Sequence, residues 1–519
     1  MSFPRGRMNR LLGVVVSAML ISPVVHAAIC EDLSRLSLAH ATIEEVDLTP
    51  AGTFTRIGTD PIPGLPAFCR VIAVLKPTPN SKIRIEVWMP ASGWNGKYEG
   101  TGNGGYAGSI QYSALAVGLR QGFATANTDM GTSLSAQQHP LADYPENWRD
   151  WGSRSTHEMT VAAKEIVRAY YGRKPDFSYF VGCSTGGQQG LVEAQRFPDD
   201  YDGIVAGAPA NNRTRLHMSF IWDLAAADEN AESQIPASKL PLITNAVLNA
   251  CAAEKTVASD RFLANPPACD WNPQALLCKT ADTSYCLTAK QVETVRKLYD
   301  GPSNPVTHQS IYPGLPRGSE SSWPFHLTPP GGIPRFDLLF HWTFGANWNW
   351  RTFDFNHDVD TVDAKLASMV NATDPDLQLF KAHGHKLIVY HGWADVVVPP
   401  LESINYYRSV EDAQAREAAR HHRTELAETE QFYRLFMVPG MDHCGGGPGL
   451  NAIDPIESIE LWVEMGIAPE SIVAKRVEND LTEIARPVCP YPQAARYNGT
   501  GDTDDDASFS CASSEADKK

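Results

Sequence analysis

Hydrophobic and polar positions along the chain predict strands that alternate with helices. Apolar residues recur at every second position in residues 83–89, which is typical of a half-buried strand. Residues 155–171 carry apolar side chains at helical spacing, and residues 188–197 are compatible with another helix. Short apolar runs predict further strands at 122–127, 177–181, 201–209, 386–392 and 432–438. This alternation favours a mainly parallel sheet with helices on both faces.

Residues 211–376 interrupt the alternation. They carry four cysteines, many prolines and a stretch rich in tryptophan and phenylalanine at 323–355. We predict that 28–210 and 377–519 form one α/β domain, into which 211–376 is inserted as a lid above the carboxyl edge of the sheet. Most of the aromatic side chains would form the core of the lid, and a minority would line an aromatic substrate pocket. The charged residues 411–430 predict an exposed helix.

The motif Gly182-Cys-Ser-Thr-Gly186 stands where the strand at 177–181 gives way to a helix. A Gly-x-Ser-x-Gly motif between a strand and a helix is the nucleophile elbow of α/β-hydrolases. A serine on such a sharp turn needs neighbours without side chains, which is what the two glycines supply. The pentapeptide alone fits an ordinary glycine-rich turn equally well, and its position favours the elbow.

Composition and charge limit the classes of molecule and surface that the protein is expected to bind. With 43% apolar and 20% charged residues the chain has the composition of a folded protein. The net charge of -16 argues against binding to nucleic acid or to an anionic membrane surface. Basic residues up to Arg10 precede an apolar run at 11–21, and a small-residue cleavage site ends at Ala27. We expect 1–27 to be a signal peptide and the protein to be secreted or periplasmic, without membrane attachment after cleavage; an uncleaved anchor is the alternative.

Ten cysteines in an exported chain predict a disulfide framework. The sequence by itself leaves their pairing open. A zinc site formed by Cys251, Cys269, Cys278 and Cys286 is the alternative for the lid cysteines. Their spacing and the lack of a nearby histidine pair disfavour zinc.

Two late residues complete a candidate catalytic triad with Ser184. A serine nucleophile needs a histidine as base and an acid that orients the histidine, in the chain order serine, acid, histidine. Asp395 follows the strand at 386–392, and His443 follows the strand at 432–438. The competing residues are weaker: His391 adjoins a strand end, as a packed or structural histidine does, and Asp442 is too close to His443 in sequence to orient it.

Cysteines adjoin both ends of the proposed triad. Cys183 precedes Ser184 and Cys444 follows His443, so a disulfide between these cysteines would hold nucleophile and base together. These two motifs, with the Asp395 loop, resemble the tannase and feruloyl esterase family over essentially the whole mature chain.

The resemblance implies an α/β-hydrolase fold with a large inserted lid domain. It implies that Ser184 is the nucleophile, His443 the base and Asp395 the residue that orients the base. The implied oxyanion hole consists of the backbone amides of Thr185 and Gly104. The implied disulfides are Cys183 with Cys444, Cys30 with Cys69, Cys251 with Cys269, Cys278 with Cys286 and Cys489 with Cys511.

One departure from the family pattern concerns calcium. Family members often bind calcium in the lid through an aspartate-rich loop that follows the first cysteine of a lid pair. Here that loop, residues 251–260, has alanine, lysine and serine where carboxylates are wanted. We predict that the calcium site is lost, that the protein has no cofactor, and that Glu254 and Asp260 are ordinary surface acids.

The resulting hypothesis is a secreted serine carboxylic ester hydrolase that cleaves small aromatic acid esters, such as feruloyl or other hydroxycinnamoyl esters, through an acyl-enzyme. A tannase acting on galloyl esters and a terephthalate monoester hydrolase are alternatives within the class. A peptidase on the same scaffold and a non-catalytic binding homologue are alternatives of other kinds.

Overall fold

The computed structural model describes residues 29–56, 58–132, 145–281, 283–420 and 429–513. The expected signal peptide, 1–27, lies outside these residues. The strands, numbered along the chain, are β1 (Ala41–Thr49), β2 (Gly52–Phe54), β3 (Ile62–Leu65), β4 (Phe68–Leu75), β5 (Ile83–Pro90), β6 (Lys97–Thr101), β7 (Ala124–Thr128), β8 (Phe177–Cys183), β9 (Gly203–Gly207), β10 (Lys386–Gly392), β11 (Tyr433–Val438), β12 (Ala452–Ile453), β13 (Ile472–Glu478), β14 (Leu481–Val488), β15 (Gln493–Tyr497) and β16 (Phe509–Ser513).

The α-helices complete the element order. They are α1 (Tyr112–Arg120), α2 (Pro145–Arg149), α3 (Ser155–Tyr171), α4 (Thr185–Arg196), α5 (Arg213–Asp228), α6 (Leu240–Ala250), α7 (Ala289–Asp300), α8 (Pro324–Leu327), α9 (Leu338–Phe344), α10 (Asp358–Val362), α11 (Ser368–Val370), α12 (Gln378–Ala382), α13 (Leu401–Arg420) and α14 (Ile456–Met465). Across the described ranges, no helix combines the length and the apolar character that crossing a membrane requires.

A nine-stranded sheet forms the centre of the molecule, in the order β1-β4-β5-β7-β6-β8-β9-β10-β11. The strands from β7 to β11 in this order run parallel, and β1, β4, β5 and β7 pair antiparallel. Successive side chains of a strand point to opposite faces of the sheet. Adjacent residues of β8 therefore pack into two hydrophobic cores, one on each face. Phe180 packs with residues of α3, α4 and α13, whereas Tyr179 packs with residues of α14. Helices therefore cover both faces, as the sequence pattern predicts.

The segment predicted to be the lid contains α5 to α11 and two of the disulfides. Many of its aromatic side chains, including Phe340, Trp342 and Trp350, are buried in one hydrophobic cluster. Hydrogen bonds join the segment to loops at the carboxyl ends of β10 and β11. His326 Nε2 lies 2.7 Å from the Val396 carbonyl oxygen, and Ser322 Oγ donates to Asp442 Oδ2 at 2.8 Å. The domain boundaries at 210 and 377 stay a prediction.

One predicted helix is confirmed over residues 411–420 but begins earlier than the sequence indicated. The charged run at 411–430 predicts an exposed helix, but α13 begins at Leu401 and ends at Arg420. The first half of α13 buries Ile404, Tyr407 and Val410 against the sheet, where apolar side chains lose contact with water. The charged residues thus form the C-terminal half of α13, and the N-terminal half of the helix packs against the sheet. Residues 421–428 lie outside the described part of the chain.

The ten cysteines form five disulfides, and these are the pairs that the family resemblance implies. They join Cys30 with Cys69, Cys183 with Cys444, Cys251 with Cys269, Cys278 with Cys286 and Cys489 with Cys511.

Candidate active site

Ser184 occupies a strained turn between β8 and α4. Its backbone has φ 65° and ψ -118°, in the left-handed half of the Ramachandran plot that residues other than glycine rarely adopt. Its N–H donates to the Gly207 carbonyl at 2.9 Å, which fixes the turn to β9. A Cβ at Gly182 would lie 2.7 Å from the Gly186 backbone, and one at Gly102 would lie 2.8 Å from the Gly182 Cα. The elbow therefore requires glycine at Gly182, as the motif predicts, and also at Gly102, which the motif does not include.

Asp395 lies in the loop after β10 and accepts hydrogen bonds on both carboxylate oxygens. Its Oδ1 accepts from the backbone N–H groups of Val397 and Val398 at 2.7 and 2.9 Å. Its Oδ2 lies 2.7 Å from His443 Nδ1 and 3.1 Å from His391 Nε2. Since the carboxylate can only accept, the Nδ1 of His443 carries the proton and its Nε2 is left free to act as a base. The structure thus brings two of the sequence-predicted site residues into direct contact.

Charge and burial act in opposite directions on this pair. Burial favours the neutral form of Asp395, but the charge and hydrogen bond of His443, with the hydrogen bond of His391, hold the pKa of Asp395 well below its usual range. Burial lowers the pKa of His443, but the charge and hydrogen bond of Asp395 and the charge of Asp442 raise that pKa above its ordinary value. The pair is therefore arranged to stabilise an imidazolium at His443.

His391 supports Asp395 more directly than the sequence indicated. It is buried, as expected for a packed histidine, and its Nε2 faces both Asp395 Oδ2 and the Val398 carbonyl, at 3.1 and 2.8 Å. Because Nε2 faces two acceptors, it carries the proton, and Nδ1 accepts from Ser403 Oγ at 2.7 Å. The four-residue spacing between His391 and Asp395 was the available signal. Nothing in the sequence pointed to Ser403, which comes from α13.

Asp442 does not orient His443 through the imidazole ring. Its Oδ1 accepts from the backbone N–H of His443 at 2.9 Å, and its Oδ2 accepts from Ser322 in the lid segment. Asp442 thus shapes the histidine loop and connects it to the lid segment. Its carboxylate adds negative charge near the imidazole.

The disulfide between Cys183 and Cys444 joins the elbow to the histidine loop. The two Cα atoms lie 5.9 Å apart, although the residues are separated by 261 positions in sequence. Cys444 has φ 63°, so the histidine loop, like the elbow, turns sharply beside the disulfide. The crosslink fixes the backbone next to Ser184 relative to the backbone next to His443.

The two residues predicted to form the oxyanion hole lie on segments that are tied together. Thr185 is the first residue of α4, where backbone N–H groups are not used inside the helix. Gly104 lies in the loop after β6, and the space in which its Cβ would stand is open to 4 Å. The Gly186 N–H donates to the Asn103 carbonyl at 2.8 Å, and Thr185 Oγ1 donates to the Gly105 carbonyl at 2.8 Å. These bonds hold the loop against the helix N-terminus.

The lid calcium site of the family does not fit the residues present. Asp260 was expected to be a surface acid and this is wrong, because it is only 5% exposed. Its Oδ1 lies 3.6 Å from Arg486 Nη2, and its Oδ2 accepts from the Val257 N–H at 3.0 Å. Glu254 is half-buried. A loop whose buried carboxylate faces a guanidinium does not supply the several oxygen ligands that calcium requires. The absence of a cofactor stays a prediction.

The sheet order and the strand–serine–helix elbow define an α/β-hydrolase fold. A sequence profile described as "Tannase and feruloyl esterase" matches residues 69–328 and 341–512. The chain therefore belongs to the tannase and feruloyl esterase family, as the motifs predicted. An uncharacterized esterase of Xanthomonas campestris pv. campestris is 38% identical over 536 residues, which cover 95% of this chain and 93% of that protein.

Two further proteins extend the comparison. The mono(2-hydroxyethyl) terephthalate hydrolase of Piscinibacter sakaiensis is 31% identical over 513 residues, covering 83% of this chain and 81% of the hydrolase. The crystal structure of feruloyl esterase B from Aspergillus oryzae superposes with a TM-score of 0.85 at 28% identity, covering 93% of this chain and 99% of the esterase. The predicted α/β-hydrolase fold is confirmed by this similarity.

Proposed function

We propose that the protein is a carboxylic ester hydrolase that cleaves esters of aromatic acids, with Ser184 as nucleophile, His443 as base and Asp395 as the residue that orients the base. The observation that carries the proposal is the convergence of the strained Ser184 turn and the Asp395–His443 hydrogen bond, joined by the disulfide between Cys183 and Cys444. All three triad positions are filled, which argues against a non-catalytic binding role.

The geometry supports an acyl-enzyme mechanism. Ser184 Oγ attacks the ester carbonyl carbon as His443 Nε2 takes the hydroxyl proton. The N–H groups of Thr185 and Gly104 donate hydrogen bonds to the oxyanion that develops on the carbonyl oxygen. The intermediate collapses when His443 gives the proton to the leaving alcohol. Water, deprotonated by the same imidazole, then attacks the acyl carbonyl, and the acid is released as the bond to Ser184 Oγ breaks and His443 returns the proton to Oγ.

Aromatic side chains close to the proposed oxyanion hole favour an aromatic acyl group. The edge of Phe336 approaches within 3.5 Å of the position that a Cβ on Gly105 would take. Tyr106, His217 and Phe220 pack around Phe336. Tyr106, His217 and Phe220 are buried and Phe336 is half-buried, so Phe336 is the ring of this cluster that we propose contacts a planar acyl group by stacking or edge contact. A small hydroxycinnamoyl ester is the preferred substrate in this proposal, since feruloyl esterase B is among the similar structures.

The alternatives differ in the acid released. A galloyl ester and a terephthalate monoester remain candidates, the latter because one relative is a mono(2-hydroxyethyl) terephthalate hydrolase.

The five disulfides favour an oxidising compartment, which supports the proposal that the enzyme is secreted or periplasmic. We propose no nucleic-acid partner, because a protein with a net charge of -16 is repelled by the phosphate backbone.

A substrate panel tests the proposal. Methyl ferulate, methyl gallate, mono(2-hydroxyethyl) terephthalate and the amide of ferulic acid are offered to the wild type and to Ser184→Ala. We expect the wild type to hydrolyse at least one of the three esters faster than the amide, and Ser184→Ala to lose that activity. Amide cleavage that outpaces ester cleavage would favour a peptidase. Equal rates from both proteins would contradict the catalytic role of Ser184.

A further inference from the structure

Arg213 is a buried cation beside the proposed active site that the triad does not use. It is the first residue of α5 and is only 4% exposed. Its Nε donates to Gln188 Oε1 at 3.0 Å, its Nη2 donates to Thr185 Oγ1 at 2.9 Å, and the guanidinium lies over the Trp151 ring, 5.1 Å from the centroid. Within the described ranges no carboxylate lies at ion-pair distance from it. Burying a guanidinium without a counter-charge is costly, and burial lowers the pKa of Arg213 to about 10.

The hydroxyl of Thr185 links Arg213 by hydrogen bonds to the two segments that carry the predicted oxyanion donors. A guanidinium can only donate, so Thr185 Oγ1 accepts from Arg213 and uses its own proton to donate to the Gly105 carbonyl at 2.8 Å. The Thr185 N–H is one predicted donor of the oxyanion hole. The Gly104 N–H, the other donor, belongs to the residue directly before Gly105. One hydroxyl therefore connects the segments that carry the two donors.

We propose that Arg213 is a positioning residue for the oxyanion hole: through the Thr185 hydroxyl it holds the Thr185 and Gly104 amides in one arrangement, and it adds an unpaired positive charge next to the developing oxyanion. The inference rests on the proposed esterase function. A charge that is already in place, in a site with little water, stabilises an oxyanion without any rearrangement during the reaction.

The charge of Arg213 also acts on the pKa of the His443 imidazole. The charged groups that act on His443 are Asp395 and Asp442, which raise its pKa, and Arg213, which lowers it. Removal of the Arg213 charge is therefore expected to raise the pKa of His443. Because the base must be neutral to accept a proton, the acid limb of the pH profile of kcat/KM would move to higher pH. A role confined to packing α5 against α4 would not move that limb.

The test compares Arg213→Met, Arg213→Lys and Thr185→Val with wild type, using the ester that the panel selects. We expect Arg213→Met to lower kcat by about 10- to 100-fold with little change in KM, and to move the acid limb upward. Arg213→Lys keeps the charge but cannot make the paired contacts of a guanidinium, so it is expected to lower kcat and leave the limb near its wild-type position. Arg215→Gln is the matched control, since Arg215 lies on the same helix and pairs with Asp363 at 3.1 Å.

Coupling to Thr185 is measured with the double variant Arg213→Met/Thr185→Val. If Arg213 acts through the hydroxyl, the double variant loses no more activity than the more damaging of the two single variants. Thr185→Ser, which keeps the hydroxyl, is expected to lose less kcat than Thr185→Val. Thermal unfolding and near-UV circular dichroism confirm that each variant is folded before its kinetics are compared.

Three outcomes would count against the inference, and they are distinguishable. A Ser184-dependent esterase whose kcat and acid limb are unchanged in folded Arg213→Met would overturn the role of Arg213 alone. Fully additive losses in the double variant would overturn the coupling through Thr185. Equal hydrolysis by wild type and Ser184→Ala would instead remove the proposed function together with the inference.

Discussion

Cys183 and Cys444 are joined by a disulfide that closes 261 positions of sequence, and each of them adjoins a residue of the proposed triad. Ser184 follows the first cysteine and His443 precedes the second. The crosslink therefore restrains the distance between nucleophile and base more directly than packing of the surrounding loops would.

We expect the double variant Cys183→Ala/Cys444→Ala to lose both activity and stability. A misplacement of about 1 Å costs on the order of 100-fold in rate, and opening so long a loop costs up to roughly 5 kcal/mol in the chain-entropy model of disulfides. The measurements are kcat and urea unfolding. Cys278→Ala/Cys286→Ala, which opens a lid disulfide spanning 8 positions, is the control and should keep kcat. Wild-type kcat in a folded Cys183/Cys444 double variant would contradict the restraining role.

The Asp395–His443 pair predicts the direction of a pH shift. Asp395 raises the pKa of His443. In the proposed mechanism the free enzyme is active when His443 is neutral, so we expect kcat/KM to fall as the pH drops through that raised pKa. In Asp395→Asn the raising charge is gone, and the acid limb should move to lower pH. The rate should fall by about 10⁴-fold, because the tautomer of His443 is no longer fixed. An acid limb that stays in place would show that another group sets it.

His391 should matter for catalysis although it does not touch the proposed base. In His391→Phe, Asp395 Oδ2 loses one of its two side-chain donors, and we expect kcat to fall about tenfold, on the scale of one lost hydrogen bond to a charged group. Ser403→Ala, which removes only the partner of His391 Nδ1, should give a smaller loss in the same direction. If both variants match wild-type kcat, His391 serves packing alone.

The lid loop predicts that the protein does not depend on calcium. Asp260 faces Arg486 at 3.6 Å, and the rest of residues 251–260 offers few carboxylates. Dialysis against EDTA should leave the melting temperature and kcat unchanged, and elemental analysis should find no calcium in proportion to protein. One tightly held calcium ion per chain, with a melting temperature that drops on its removal, would contradict this prediction.

Local features of the sequence predicted local features of the fold. The helix at 155–171 and the strand at 386–392 have the predicted bounds. In the helix the apolar spacing ends just before Gly172, whose left-handed φ of 72° ends it. The elbow was predictable because its glycines and its position between strand and helix are adjacent in sequence.

Contacts between distant segments could not be predicted in the same way. The burial of Asp260 depends on Arg486, and the anchoring of His391 depends on Ser403 of α13. Likewise, the contact between Arg213 and Thr185 follows from how α5 packs on α4. Such contacts are set by the tertiary arrangement, which neither hydrophobic period nor motif spacing specifies. The disulfide pairs were accessible only through the family resemblance, because spacing alone leaves many pairings open.

Detection of an acyl-enzyme would directly test whether Ser184 is the nucleophile. The wild type is mixed with a saturating aromatic ester, quenched in acid within milliseconds, and analysed by intact-mass and peptide mass spectrometry. An acyl-enzyme mechanism at Ser184 predicts a mass increase equal to the acyl group, located on the peptide that contains Ser184 and absent in Ser184→Ala. Ester hydrolysis that persists in Ser184→Ala, or an acyl group found on another residue, would contradict it.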